Sequence, residues 1–122
     1  MPIVDVEVVR TAGGHSGMPA ASALASALGR AFGSPPGRTW VRLRWLDASC
    51  YAENDEPTAG AALPVFVTIL HAHPPHGAAL ASEAKSVGET VAVLFGMSAE
   101  RVHVQYAPAA AGRQAFGGRL VE

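Results

Sequence analysis

The run Met1-Pro2-Ile3-Val4-Asp5-Val6-Glu7-Val8-Val9 decides how the rest of the chain reads. Val4, Val6 and Val8 share one face, and Ile3, Asp5 and Glu7 share the other, the period-two pattern of a strand with one buried side. A proline opens this run. A second proline opens a similar run half a chain later, Leu63-Pro64-Val65-Phe66-Val67-Thr68-Ile69-Leu70. Removal of Met1 would give Pro2 a free secondary amine at the edge of a sheet, able to act as a base or a nucleophile.

Outward from the first strand, Arg10 to Gly17 is a turn-rich loop. Ser16 is placed to cap a helix and Pro19 suits its first turn. Leu24, Leu28 and Phe32 recur at helical spacing until Gly33 and Pro35-Pro36 stop the helix. Residues 39–46 read as a second strand, with Val41, Leu43 and Trp45 on one face and Trp40, Arg42, Arg44 and Leu46 on the other. Asp47 to Ala62 reads as a linker. Residues 64–71 form a third strand, followed by His73, Pro74, Pro75 and His76. Leu80, Ala84, Val87, Val91 and Leu94 mark a second helix, ended by Gly96. Arg101 to Tyr106 is a fourth strand, and Gly112 to Val121 a turn with a short strand.

Gly33 and Gly96, Arg38 and Arg101, and Val41 and Val104 stand at one constant separation. The chain therefore reads as one domain, residues 1–122, built of two pseudo-repeats at about 2–56 and 64–118, each strand–helix–strand. Strands joined in this way run parallel with a right-handed crossover. The expected fold class is α/β (α+β): duplicated β-α-β units, a four-stranded sheet with two helices on one face, and a short C-terminal strand. The uncovered face is expected to carry Trp40, Arg42, Arg44, His71, His103 and Gln105, with Ile3, Val65, Val67 and Ile69. Such an apolar and basic mixture is unfavourable in water, so a homo-oligomer is expected to cover it.

Composition narrows the function classes. The 122 residues are 49% hydrophobic and 16% charged, which suits a folded chain with a modest core. A net charge of −1 gives no electrostatic case for nucleic acid. The single cysteine, Cys50, excludes an internal disulfide and a cysteine-based zinc site. Asp5 and Glu7 interrupt the N-terminal apolar run, so it does not read as a signal peptide. No apolar stretch approaches the roughly 18 residues of a membrane span. The expectation is a cytoplasmic chain without a membrane partner.

Pro2 at the head of strand one, the repeated β-α-β plan, Gly33-Ser34-Pro35-Pro36 before strand two, and Met97-Ser98-Ala99-Glu100-Arg101-Val102-His103-Val104-Gln105-Tyr106 together resemble the tautomerase superfamily. That superfamily includes 4-oxalocrotonate tautomerase and macrophage migration inhibitory factor. The glycine-bearing tail from Gly112 to Gly118 also resembles it, and the length is similar to the two-unit members. The resemblance implies a homotrimer with active sites at subunit boundaries, no cofactor, and an N-terminal proline that carries the proton. In related dehalogenases and decarboxylases the proline works as the acid.

The chemistry fits the residue. A free α-amino group titrates near pH 8, and an apolar pocket or a nearby cation lowers that value. A neutral amine takes a proton from carbon beside a carbonyl and returns it elsewhere. The remaining candidates rest on the resemblance. His103 and Gln105 match positions that the inhibitory factor contributes to a neighbouring site, where His103 could donate to an enol oxygen. His71 and His73 stand where the decarboxylase branch places arginines for a carboxylate. Arg42 and Arg44 are candidates for a substrate carboxylate through charge-assisted hydrogen bonds, with lining of a central oligomer channel or pairing with Asp5 and Glu7 across the sheet as the alternatives. Tyr51 keeps the family's aromatic spacing after Trp40, which replaces a substrate arginine. Arg113 and Phe116 are pocket candidates from the tail. Ser34 stands in place of a lysine, and Gln114 in place of a water-activating glutamate, which argues against dehalogenation. His71, His73 and His76 invite a metal, but Pro74-Pro75 breaks their geometry, and no metal is expected. The expected function is isomerisation of a small enol-keto or 2-hydroxy-dienoate acid. The alternatives are decarboxylation of a short oxo acid and a non-catalytic trimeric scaffold.

Overall fold

The alternation of the first valine run sets the sheet. A computed structural model describes residues 1–11, 13, 17–57 and 63–122. Strand β1 (Ile3–Arg10) buries Val4, Val6 and Val8 and leaves Ile3, Asp5 and Glu7 partly exposed on its other side. Helix α1 (Ala21–Phe32) leads to β2 (Trp40–Asp47), which pairs parallel with β1. Strand β3 (Val65–Leu70) pairs antiparallel with β1 on its other edge. Helix α2 (Gly77–Phe95) leads to β4 (Val102–Tyr106), parallel to β3. The order across the sheet is β2-β1-β3-β4. Both β-α-β units are parallel, and the two halves join through one antiparallel pair.

The two helices lie on one face. Leu24 and Leu28 of α1 and Val87 and Val91 of α2 are fully buried against Val4, Val6, Val8, Val65, Val67 and Ile69. Burying one such side chain contributes roughly 1.5–3 kcal/mol. The helices end alike. Gly33 is left-handed at φ 65, the Gly33 N–H donates to the Arg30 carbonyl, and the Ser34 N–H donates to that of Gly29. Gly96, at φ 63, repeats this with Val93 and with Ala92 through Met97. This is the six-to-one cap that glycine accommodates without a Cβ penalty. The turn into the next strand also repeats: the Arg38 N–H donates to Pro35, and the Arg101 N–H to Ser98.

Several expectations are corrected. Val65, Val67, Ile69 and His71 do not lie on the open face. The antiparallel register puts Val67 opposite Val6 and Ile69 opposite Val4, so these residues face the helices. Phe66, Thr68 and Leu70 take the open face instead. Pro19 precedes α1 rather than opening its first turn, and Ala20 is the N-cap without a side-chain bond. Ser16 and Thr58 to Ala62 lie outside the described residues. The linker is partly structured, with a 3-10 turn at Ala48–Cys50 and a bridge between Glu53 and Glu56. The tail is a hairpin, β5 (Ala115–Phe116) against β6 (Arg119–Leu120), rather than a turn and one strand.

Candidate active site

Pro2 sits directly before β1 with its side chain fully buried. The Trp40 N–H donates to the Pro2 carbonyl at 3.0 Å, which ties the chain start to the start of β2. With Met1 attached, the Pro2 nitrogen is an amide and cannot take a proton. The Met1 amine at this end is pushed below its ordinary value, first by burial and then by the Arg38 guanidinium. Pro64 is equally buried at the head of β3. Burial of a proline there therefore has a structural reason, and any chemistry at Pro2 depends on a free amine.

The register gathers a group of residues around Pro2. Ile3 lies between Trp40 of β2 and Leu70 of β3, so the ends of both strands flank the chain start. After β3, the His71 carbonyl accepts from the Ala110 N–H at 2.8 Å, and the Ala72 carbonyl accepts from Ala111 at 3.2 Å. The Gly112 N–H donates to Val121 at 2.7 Å, which closes the tail hairpin onto the same end. Phe116 meets Trp40 edge-on with ring centroids 5.1 Å apart. The His73 Nε2–H donates to the Glu122 main-chain oxygen at 2.9 Å. Pro2, His71, His73, Arg113 and Phe116 thus come from distant parts of the sequence to one end of the sheet.

His71 is more tightly held than the sequence suggested. Its Nε2 lies 2.7 Å from Glu83 Oε1 on α2, and the Tyr106 hydroxyl donates to the same oxygen at 3.0 Å. The His71 ring stands edge-on to Phe32 and stacks on Tyr106. Burial first, and then Glu83, pushes the Tyr106 phenol well above its ordinary value. Glu83, Tyr106, Arg38 and Trp40 were not singled out as site residues from the sequence. Glu83 did carry a signal: it interrupts the inward stripe of α2 between Leu80 and Val87, where a carboxylate needs an internal partner.

A second group lies elsewhere. His103 and Gln105 are exposed on the open face of β4. His103 pairs in register with Phe66, its ring centroid 5.5 Å away, and Phe66 pairs with Glu7. Gln105 Nε2 donates to the Thr68 hydroxyl at 2.8 Å. The Tyr51 hydroxyl and an Arg101 N–H both donate to Glu53, at 2.6 and 2.7 Å. These bonds, Tyr51 first, hold the Glu53 carboxyl below its ordinary value. Tyr51 and Gln105 also line an open-face cleft of about 360 Å³ with Phe66 and Arg44. Arg42 is bound at both ends of its fork by Asp5, at 2.6 and 2.9 Å. Arg44 sits opposite Glu7, and no ion pair joins them among the described residues. A larger cavity, about 630 Å³, opens at the far end of β1 near Val9 and Phe95, and none of the candidates lines it.

The two groups do not meet within one chain. From Pro2 to Glu7 is about 16 Å along β1 at roughly 3.3 Å per residue, and His103 lies two strands across, roughly 9.6 Å further. Pro2 and His103 also face opposite sides of the sheet. Among the described residues no group of three metal-binding side chains converges, and no helix is long and apolar enough to cross a membrane.

No family model matches the sequence, and no curated protein matches it. Solved structures do. A fused 4-OT wild-type asymmetric trimer superposes with a TM-score of 0.76 at 18% identity, over 97% of this chain and 94% of that one. Macrophage migration inhibitory factor from Oncomelania hupensis gives 0.72 at 18% identity, over 100% and 83%. The malonate semialdehyde decarboxylase FG41, inhibited by 3-bromopropiolate, gives 0.62 at 14% identity, over 94% and 90%. With its four-stranded mixed sheet, two helices and tail hairpin, the chain has the α+β fold of the tautomerase superfamily.

Proposed function

We propose that this chain is a cofactor-independent tautomerase of a small enol-keto or 2-hydroxy-dienoate acid, with the Pro2 amine as acid/base once Met1 is removed. The observation that carries this reading is the place of Pro2. It is buried at the head of a central strand, at the end of the sheet where Trp40, Phe116, His71 and His73 converge. Surroundings that lower the amine at this end favour its neutral form. A neutral Pro2 nitrogen takes the proton of the 2-hydroxyl group, and the ammonium returns a proton to carbon. The product is the 2-oxo acid, and no electron acceptor is needed.

The site is completed by a second copy. His103 and Gln105 face outward from β4, beyond reach of Pro2 in their own chain, and a neighbour in a homotrimer would bring them to it. The open face supports this reading, since Trp40 is 46% exposed beside Ile3 and Leu70. A described neighbour in structure is itself a trimer.

Decarboxylation of a short oxo acid is the second reading, supported by the decarboxylase of the same fold. It needs a protonated Pro2 and His71 and His73 on the carboxylate. Glu83 already holds His71, which favours the tautomerase. Steady-state assay of 2-hydroxypenta-2,4-dienoate separates the readings. Pro2→Ala is expected to lower turnover by about 10² or more. Turnover at the wild-type rate would remove Pro2 from the mechanism. Binding without turnover in both proteins would leave the scaffold reading. Replacing His71 and His73 by Ala should harm oxo-acid decarboxylation more than ketonisation, and equal effects would remove that distinction.

A further inference from the structure

We propose that Arg38 is the residue that binds the carboxylate of the acid presented to Pro2. This deepens the tautomerase reading and rests on it. Three hydrogen bonds fix the backbone on which Arg38 stands. The Arg38 N–H donates to the Pro35 carbonyl at 3.2 Å, Trp40 Nε1 donates to the Gly37 carbonyl at 3.0 Å, and the Trp40 N–H donates to Pro2 at 3.0 Å. Gly37 is left-handed at φ 77, so the turn is one that a side chain at that position would resist. The parallel register pairs Ile3 with Trp40. Two steps back along both strands, it sets Arg38 beside Met1, at the amine that removal of Met1 transfers to Pro2.

Four other cations are already engaged. Arg42 is held by Asp5 and Arg101 by Glu53, and the Arg10 guanidinium lies over Phe95. His71 is held by Glu83. Arg38 is exposed, and no carboxylate among the described residues forms an ion pair with it. It stands two residues before Trp40, whose ring packs on Phe116, so a short acid bound there would have a guanidinium at one end and an apolar wall near it. A guanidinium fork binds a carboxylate through two parallel hydrogen bonds.

The same charge disfavours an ammonium at Pro2, which suits a base. The other ionisable groups gathered at this end are His71 with Glu83 and Tyr106, His73 beside Glu122, and Arg113. None of them replaces a fixed cation on the β2 side.

The test compares Met1-free wild type, Arg38→Ala and Arg38→Lys on 2-hydroxypenta-2,4-dienoate and on its methyl ester. Arg38→Ala is expected to raise KM for the acid tenfold or more and leave KM for the ester unchanged. Lysine should restore part of the loss, because it is a point charge without the fork. The acid limb of kcat/KM should move to higher pH in Arg38→Ala, since the amine loses its neighbouring cation. Equal effects on acid and ester would overturn the proposal. If the wild type turns over neither, the tautomerase reading fails, and NMR titration with crotonate against crotonamide still decides the role of Arg38. Crotonate binding lost in Arg38→Ala, with crotonamide unaffected, supports it. Equal crotonate binding in both proteins, or none in the wild type, overturns it.

Discussion

Pro2 and Pro64 are both fully buried at the heads of strands in the middle of the sheet. Pro2 differs from Pro64 in following Met1, whose removal the proposed mechanism requires. Pro2 stands out in the sequence because the chemistry proposed for it depends on position alone. Arg38 does not, because nothing in Pro36-Gly37-Arg38 says which arginine the parallel register will set beside the chain start. Glu53 was equally hidden: its partners Tyr51 and Arg101 come from the connection and from the turn before β4. That carboxyl is held below its ordinary value. The stability it lends is therefore fully present above the ordinary carboxylate range, and it is lost as pH falls through the lowered value. Protection of the amides of residues 51–56 against hydrogen exchange, taken relative to their intrinsic rates, should fall in that acid window. Glu53→Gln should lose that protection already at neutral pH, and protection independent of both would contradict the assignment.

Elements were legible wherever a pattern had one reading. The alternating valines of β1 and the two stop glycines gave the strand and both helix ends close to where they lie. The face of β3 did not, because Val65, Phe66, Val67, Ile69 and Leu70 are apolar at both parities. Periodicity cannot orient such a strand; its antiparallel pairing with Val4, Val6 and Val8 does. The helix caps carry the prediction at this scale. Gly96 has φ 63, and an added Cβ would meet nothing within 4 Å. Gly96→Ala should therefore cost only the conformational penalty, about 1–2 kcal/mol. Denaturant titration checks it. A loss much above that range would mean that the cap meets a steric obstacle, and no loss would mean that it is not held left-handed.

On the scale of the whole molecule, one sheet face is packed under two helices and the other is left with Ile3, Trp40, Phe66 and Leu70 among charged neighbours. Correcting β3 leaves this face apolar, since Phe66 and Leu70 replace Val65, Val67 and Ile69. A self-associated state is the expected consequence, because exposed apolar surface of this kind is usually an interface. Light scattering coupled to size exclusion should give the mass of a trimer, and a monomer at micromolar concentration would leave His103 without a route to Pro2. The central claim, however, is a free amine at Pro2 that reacts with small acids. It is tested most directly by intact mass of the protein from its native host, before and after treatment with 2-oxo-3-pentynoate, a 2-oxo acid whose alkyne accepts amines. The account predicts a chain lacking Met1 that gains one adduct, mapped by peptide fragmentation to Pro2. A retained Met1, or an adduct absent from Pro2, would contradict it.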